Sequence, residues 1–361
     1  DTEADSRHHY PEKVCLLQLS TGNCTYIIDT LAGIDIRPIG AIFEDKNVEK
    51  ILHGADFDIR GLNRDWGFVT NGIYDTNIAA RFAGLERFGL AGLIEDLLGT
   101  SILKDPKLQK ADWSRRPLSD SALGYAAGDV AYLFDIRDRL DSILKRLRRQ
   151  EWVKEECQRL SAIRYIAPDS ANAFRTMKGA GGLSGREMAV LRELFDLRDF
   201  EARRLDRPPS FVISTETMLY LSRHPESPLG DVPGLGKIQI SRIGRKIMSS
   251  LSRGMSAPPV PRRGEGSRPR PTKQETNAFS ALKKWRAGIG NALKIDPSLL
   301  WPTRSLERLS RNPRVLEEEI EGSEVRAWQS AEFSKSIELE LQRLESEKRS
   351  GASDDNKPPK L

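Results

Sequence analysis

Val14-Cys15-Leu16-Leu17-Gln18-Leu19 is followed, across the turn signal Thr21-Gly22-Asn23, by Cys24-Thr25-Tyr26-Ile27-Ile28-Asp29. Two apolar, β-branched runs around a Gly-Asn pair predict a β-hairpin. Working outward, Ile51-Leu52-His53 predicts a third short strand that leads into a helix from about Phe57 to Trp66. Ile78 to Phe82, Leu90 to Leu98 and Asp120 to Arg148 carry helical spacing. Strands interleaved with helices predict an α/β domain over residues 1–165.

Beyond Tyr165 the strand pattern stops. Gly185 to Asp206, Ser214 to Arg223 and Ile238 to Arg253 place apolar residues three and four apart between Pro and Gly breaks, so residues 184–254 are expected to form an all-helical domain. Ala257 to Pro271 has too few apolar residues to build a core, and residues 255–273 read as an extended basic linker. Glu275 to Leu293, Thr303 to Arg311 and Glu324 to Leu344 repeat the long, short, long order of the first helical unit, predicting a second over 274–345. The polar residues 346–361 are expected to be disordered.

A chain of 361 residues exceeds one domain. With 38% hydrophobic and 30% charged residues, and no apolar run near the ~18 residues of a membrane span, a membrane protein is excluded from expectation. The net charge of +5 favours polyanionic partners but names none, since 52 acidic residues are also present. Cys15, Cys24 and Cys157 lack any Cys-x-x-Cys spacing, which argues against a zinc knuckle or a disulfide framework and for a reducing cytoplasm. No secretory signal is read at Asp1.

The chemistry is carried by acids. Asp1-Thr2-Glu3 sets two carboxylates at i and i+2, on one face of a strand, where both can grip one cation. The same pattern, alone, is an exposed acidic strand end. His53-Gly54-Ala55-Asp56-Phe57-Asp58 ends a strand and opens a helix, so one aspartate can cap while the other ligates. Tyr125 and Asp129 lie one turn apart on one helical face. Hard divalent ions prefer carboxylate oxygen, and a pair of them can stabilise the attacking and leaving oxygens of a phosphoryl displacement.

Asp-x-Glu, then Asp entering a helix, then Tyr-x-x-x-Asp, in that order, resembles the ribonuclease D branch of the DEDD exonucleases. Asp112-Trp113-Ser114-Arg115-Arg116-Pro117-Leu118 is similar to a further segment of that family. The resemblance implies a ribonuclease H-like mixed sheet flanked by helices, two Mg²⁺ or Mn²⁺ ions on Asp1, Glu3, Asp58 and Asp129, and Tyr125 beside the attacking water. It implies Asp1 as the ligand shared by both ions, with Asp56 left as the cap and Asp75 orienting backbone. The expected activity is 3′→5′ exoribonuclease, releasing nucleoside 5′-monophosphates from RNA such as tRNA precursors. A DNA exonuclease and an inactive nucleic-acid-binding protein stay open as alternatives. Because relatives lead into the first motif with a strand, a chain truly beginning at Asp1 is expected to be weakly active or inactive.

Leu191 to Asp206, Pro208-Pro209-Ser210-Phe211-Val212-Ile213, Thr217-Met218-Leu219, His224-Pro225 and Val232-Pro233-Gly234-Leu235-Gly236 resemble an HRDC domain, a module shared with helicases. A helicase is excluded because Gly236-Lys237 runs into Ile238 without the glycine pattern of a phosphate loop, so no ATP is expected. Arg116, Arg198, Arg203, Arg204, Arg242, Arg245 and Lys246 are candidate phosphate contacts, with Arg262, Arg263, Arg268 and Arg270 of the linker. Trp285, Trp301 and Trp328 read as core rather than as base-stacking platforms.

Overall fold

The structure, a computed structural model, describes residues 1–102, 105–169, 171–261 and 271–354. Arg262, Arg263, Arg268 and Arg270 lie outside the described residues. Strands β1 (Thr2–Ala4), β2 (Val14–Ser20) and β3 (Thr25–Asp29) form an antiparallel sheet in that order. Thr2 stands opposite Leu17 and Glu3 opposite Leu16. The ladder continues to Asp1, whose backbone exchanges both hydrogen bonds with Gln18, at 3.0 and 3.1 Å.

Helix α1 (Gly40–Glu44) precedes β4 (Lys50–Leu52), α2 (Asp56–Trp66) and β5 (Ile73–Asp75), and β4 pairs with β5 in parallel. Both strand senses expected of a mixed sheet are present, carried by two ladders. The alternation of β2 sorts its side chains between two layers. Leu17 packs with Phe43, Leu62 and Phe68 on the α2 side. Leu16 packs with Trp113, Ala122 and Ala126 on the other.

The remaining helices of this region are α3 (Thr76–Ala83), α4 (Leu90–Leu98), α5 (Asp120–Ala131), α6 (Leu133–Leu147) and α7 (Gln150–Leu160). Next, α8 (Gly185–Leu205), α9 (Pro209–Val212), α10 (Thr215–Arg223) and α11 (Lys237–Ser256) close around Val190, Leu194, Met218, Leu221, Ile243 and Ile247. Ser184 and Glu187 start α8 with a reciprocal capping box. The expected linker is not wholly extended. Val260 is buried in this same core, its N–H donating to the Gly185 carbonyl at 2.9 Å, because it is the one apolar side chain between the flanking prolines.

Finally, α12 (Lys273–Leu293), α13 (Thr303–Arg311), α14 (Leu316–Glu321) and α15 (Ala327–Asp354) follow. They do not enclose a core apart. Leu282, Trp301, Leu306, Trp328, Phe333 and Ile337 join Phe82, Ile136, Leu140, Trp152 and Val153 of α3, α6 and α7 in one continuous apolar cluster. Trp328 stacks on Trp152 with ring centroids 4.7 Å apart and meets Phe82 edge-on at 5.3 Å. The buried Arg149 donates to the carbonyls of Phe82 and Leu293, each at 2.8 Å, so one guanidinium satisfies the ends of α3 and α12. Residues 346–354, expected to be disordered, continue α15; Arg343 pairs with Glu340 and Glu347 along that end. No helix among the described residues is long and apolar enough to cross a membrane.

Candidate metal centre

The sheet and α5 together position the acids. Strand geometry aims Asp1 and Glu3 to one face, and α5, capped by Ser119 accepting from the Ala122 N–H at 3.2 Å, carries Asp129 to the same place. Carboxylate oxygens of Asp1, Glu3 and Asp129 lie within 4.8 Å of one another, half-buried. Burial first, then the charges of Asp129 and Asp58, push the Glu3 carboxyl up to about 8. Carboxylates crowded so closely repel in the absence of a counter-charge, and hard oxygen donors of this kind fit a divalent ion. The residues therefore fit the metal that the sequence implies.

Asp58 is held differently. It sits on the first turn of α2, 5% exposed, and accepts a hydrogen bond from the Thr2 hydroxyl, while burial raises its carboxyl above the usual range. It is near enough to Glu3 to be felt there electrostatically but is not among the three acids whose oxygens converge. Tyr125 is half-buried, its ring 6.0 Å from that of Trp113. Burial, then Asp129 and Glu3, push its phenol up to about 12, so it is a proton-bearing donor at neutral pH and not a base.

Two aspartates take other roles. Asp56 is not a cap: Ala55 occupies that position, and Asp56 pairs with Arg60 one turn on, at 2.8 and 3.0 Å. Asp75 does orient backbone. Its carboxylate accepts from the N–H groups of Gly54, Ala55, Asn77 and Ile78, capping α3 while clamping the turn that delivers Asp58. The N-cap residue Ala55 has no side chain that could accept, and the Asp56 side chain, just inside the helix, goes to Arg60.

The candidate phosphate contacts divide. Arg242 and Arg245 are exposed. Arg116 is occupied instead, donating to Asp29 twice at 2.6 Å and to the Cys15 and Trp113 carbonyls, which pins the 112–118 segment to the hairpin. Arg204 and Lys246 both neutralise the fully buried Glu201. Arg203 pairs with Asp199 at 2.8 Å, and Arg198 lies over the Phe195 ring. Sequence reasoning passed over Arg7, Arg115 and Arg207, which line a cavity of about 490 Å³ with His9 and Phe211 between the α/β domain and α8–α9. They come from three separate segments, so local spacing gave no signal of their convergence.

Comparison with known proteins identifies the family. A family profile described as 3'-5' exonuclease matches residues 1–145, and one described as HRDC domain matches residues 187–251. Ribonuclease D of Granulibacter bethesdensis is 30% identical over 322 residues, covering 86% of this chain and 80% of that protein. Ribonuclease D of Escherichia coli K12 is 28% identical, covering 86% and 83%. The crystal structure of Escherichia coli RNase D, described as an exoribonuclease involved in structured RNA processing, superposes with a TM-score of 0.70 at 25% identity over 95% of this chain and 92% of that one. The catalytic core of RRP6 from Trypanosoma brucei gives 0.58 at 26% identity, covering 71% and 73%. With its exonuclease and HRDC regions in the same order and most of its length matched, the chain belongs to the ribonuclease D family.

Proposed function

We propose that the protein is a 3′→5′ exoribonuclease that removes nucleotides from RNA 3′ ends as nucleoside 5′-monophosphates, with two Mg²⁺ or Mn²⁺ ions held by Asp1, Glu3, Asp58 and Asp129. The convergence of Asp1, Glu3 and Asp129 oxygens within 4.8 Å is the observation that carries this reading. When bound, such ions activate water as a nucleophile and neutralise charge on the leaving oxygen. Asp1 and Glu3, on one strand, and Asp129, on a helix packed against the neighbouring strand β2 of the same sheet, hold their carboxylates with little freedom to relax apart. Asp58 supplies the next nearest charge from the clamped start of α2. The Tyr125 phenol, neutral and wedged against Trp113, donates a hydrogen bond that orients water beside Asp129.

The substrate class we favour is structured RNA with a free 3′ end, tRNA precursors among it, in a reducing cytoplasm. Arg242 and Arg245 on α11, and the arginines of the interdomain cavity, offer phosphate contacts without base preference. The test is release of 5′-monophosphates from a single-stranded RNA 3′ end, dependent on Mg²⁺ and abolished by a chelator. Asp129→Asn should lose hydrolysis while binding the same RNA within about two-fold. A matched DNA strand degraded faster than the RNA, or wild-type turnover by Asp129→Asn, overturns the proposal.

A further inference from the structure

Gln18 lies in the middle of β2, fully buried, in a strand whose other inward residues are Leu16, Leu17 and Leu19. Among the described residues neither its Nε2 nor its Oε1 has a hydrogen-bond partner. An amide buried without partners is destabilising, and an aliphatic residue would fill the same space without that cost. Its place in the sheet suggests why an amide stands there. Gln18 and Asp1 form a hydrogen-bonded antiparallel pair, which sets their side chains on the same face of the sheet. Facing pairs hold their Cβ atoms about 4.5–5.5 Å apart, and Glu3 is the diagonal neighbour on that face. The α5 helix, with Asp129, covers this side through Leu16 and Ala126.

Resting on the proposed metal-dependent reading of the site, we infer that Gln18 is a positioning residue for the metal centre, its Nε2–H donating to the Asp1 carboxylate. A carboxylate that would hold a cation must present its oxygens in a fixed orientation, and a donor anchored in the sheet would fix that orientation from behind. Supporting residues of this kind, one step removed from the ion, characteristically change affinity by about 10–100-fold when lost.

The experiment compares wild type with Gln18→Met, which keeps shape and removes the donor, in the full chain. Mn²⁺ binding is read by loss of the free-ion electron paramagnetic resonance signal, and stability by thermal unfolding in chelator. We expect Gln18→Met to bind Mn²⁺ about 10–100-fold more weakly while its metal-free unfolding midpoint is unchanged or higher. Equal Mn²⁺ affinity in the two proteins overturns the inference, as does a variant that fails to fold, because the amide would then be a structural partner. Wild type that binds no Mn²⁺ at all overturns the metal reading itself, a separate outcome.

Discussion

At the scale of single residues, the proposed site divides into groups that would ligate and groups that would orient. Tyr125 is the clearest case of the second kind, since a phenol pushed up to about 12 keeps its proton throughout the neutral range. Tyr125→Phe should lower kcat by on the order of 100-fold and leave Mn²⁺ affinity as in wild type. A large loss of Mn²⁺ binding in that variant would show the ring to be a structural prop for the acids. The acids and Tyr125 were legible because side-chain alternation and helical spacing are local rules: Glu3, Asp58, Tyr125 and Asp129 each sit on the predicted element, and Asp1 adjoins β1 through its backbone pairing with Gln18. Gln18 was not, because one polar residue in an apolar strand reads as ordinary alternation until the register sets it opposite Asp1. Arg116 shows the converse. Its charge and exposed setting suggested phosphate, but the hairpin's Asp29 comes within reach only in the folded chain.

At the scale of elements, the junction of β5 and α3 controls the start of α2. Asp75 is 2% exposed and serves four backbone donors from two segments. Asp75→Asn keeps the size but replaces acceptor oxygen with an N–H₂ group that meets other donors. The loss of cap and clamp should cost about 2–4 kcal/mol, measured by urea unfolding, with activity reduced further because the turn ahead of Asp58 loosens. A variant as stable as wild type would show that water replaces the carboxylate. Element boundaries were mostly readable from periodicity and punctuation, as for β2, β3 and α4. Which carboxylate serves a helix start was not, since Asp56 is the first residue of α2 and pairs with Arg60, while Asp75 holds the N–H groups of Gly54 and Ala55 from another strand.

At the scale of the whole molecule, two contacts decide how the parts hold together. The first is His9, whose ring meets Asp206 at 2.7 Å on one side and Ser114 at 2.9 Å on the other, joining the α/β domain to α8. The hydrogen bond that the His9 ring donates to Asp206 raises the His9 pKa above its ordinary value, with the charges of Asp206, Asp112 and Asp5 adding to the same effect. A raised histidine pKa contributes stability that is complete below about 6.5 and disappears as pH rises through the folded value. His9→Gln should therefore lower the unfolding midpoint at pH 6 and hardly at pH 9. For a partly exposed pair the effect is about 0.5–1 kcal/mol. A difference that stays constant with pH would remove the ionic explanation.

The second contact is the apolar cluster that α12, α13 and α15 share with α3, α6 and α7. Helical periodicity identified the apolar faces of both groups, but periodicity carries no address, and the pairing of Trp152 with Trp328 spans segments separated by all of α8–α11. Trp328→Ala should destabilise the nuclease region itself by about 3–5 kcal/mol, seen as a lower midpoint for the loss of Mn²⁺-dependent activity on heating. Unchanged heat resistance of that activity would mean that the C-terminal helices are only an appendage. The shared cluster also sets an order of events at the ribosome. Phe82 and Trp152 are synthesised long before Trp328 and Phe333, and at roughly 5–20 residues per second they wait on the order of 10–50 s for their partners. Throughout that interval the nascent chain displays a sticky aromatic face, a natural target for a chaperone. A chain cut short before α15 would leave that aromatic face without its cover.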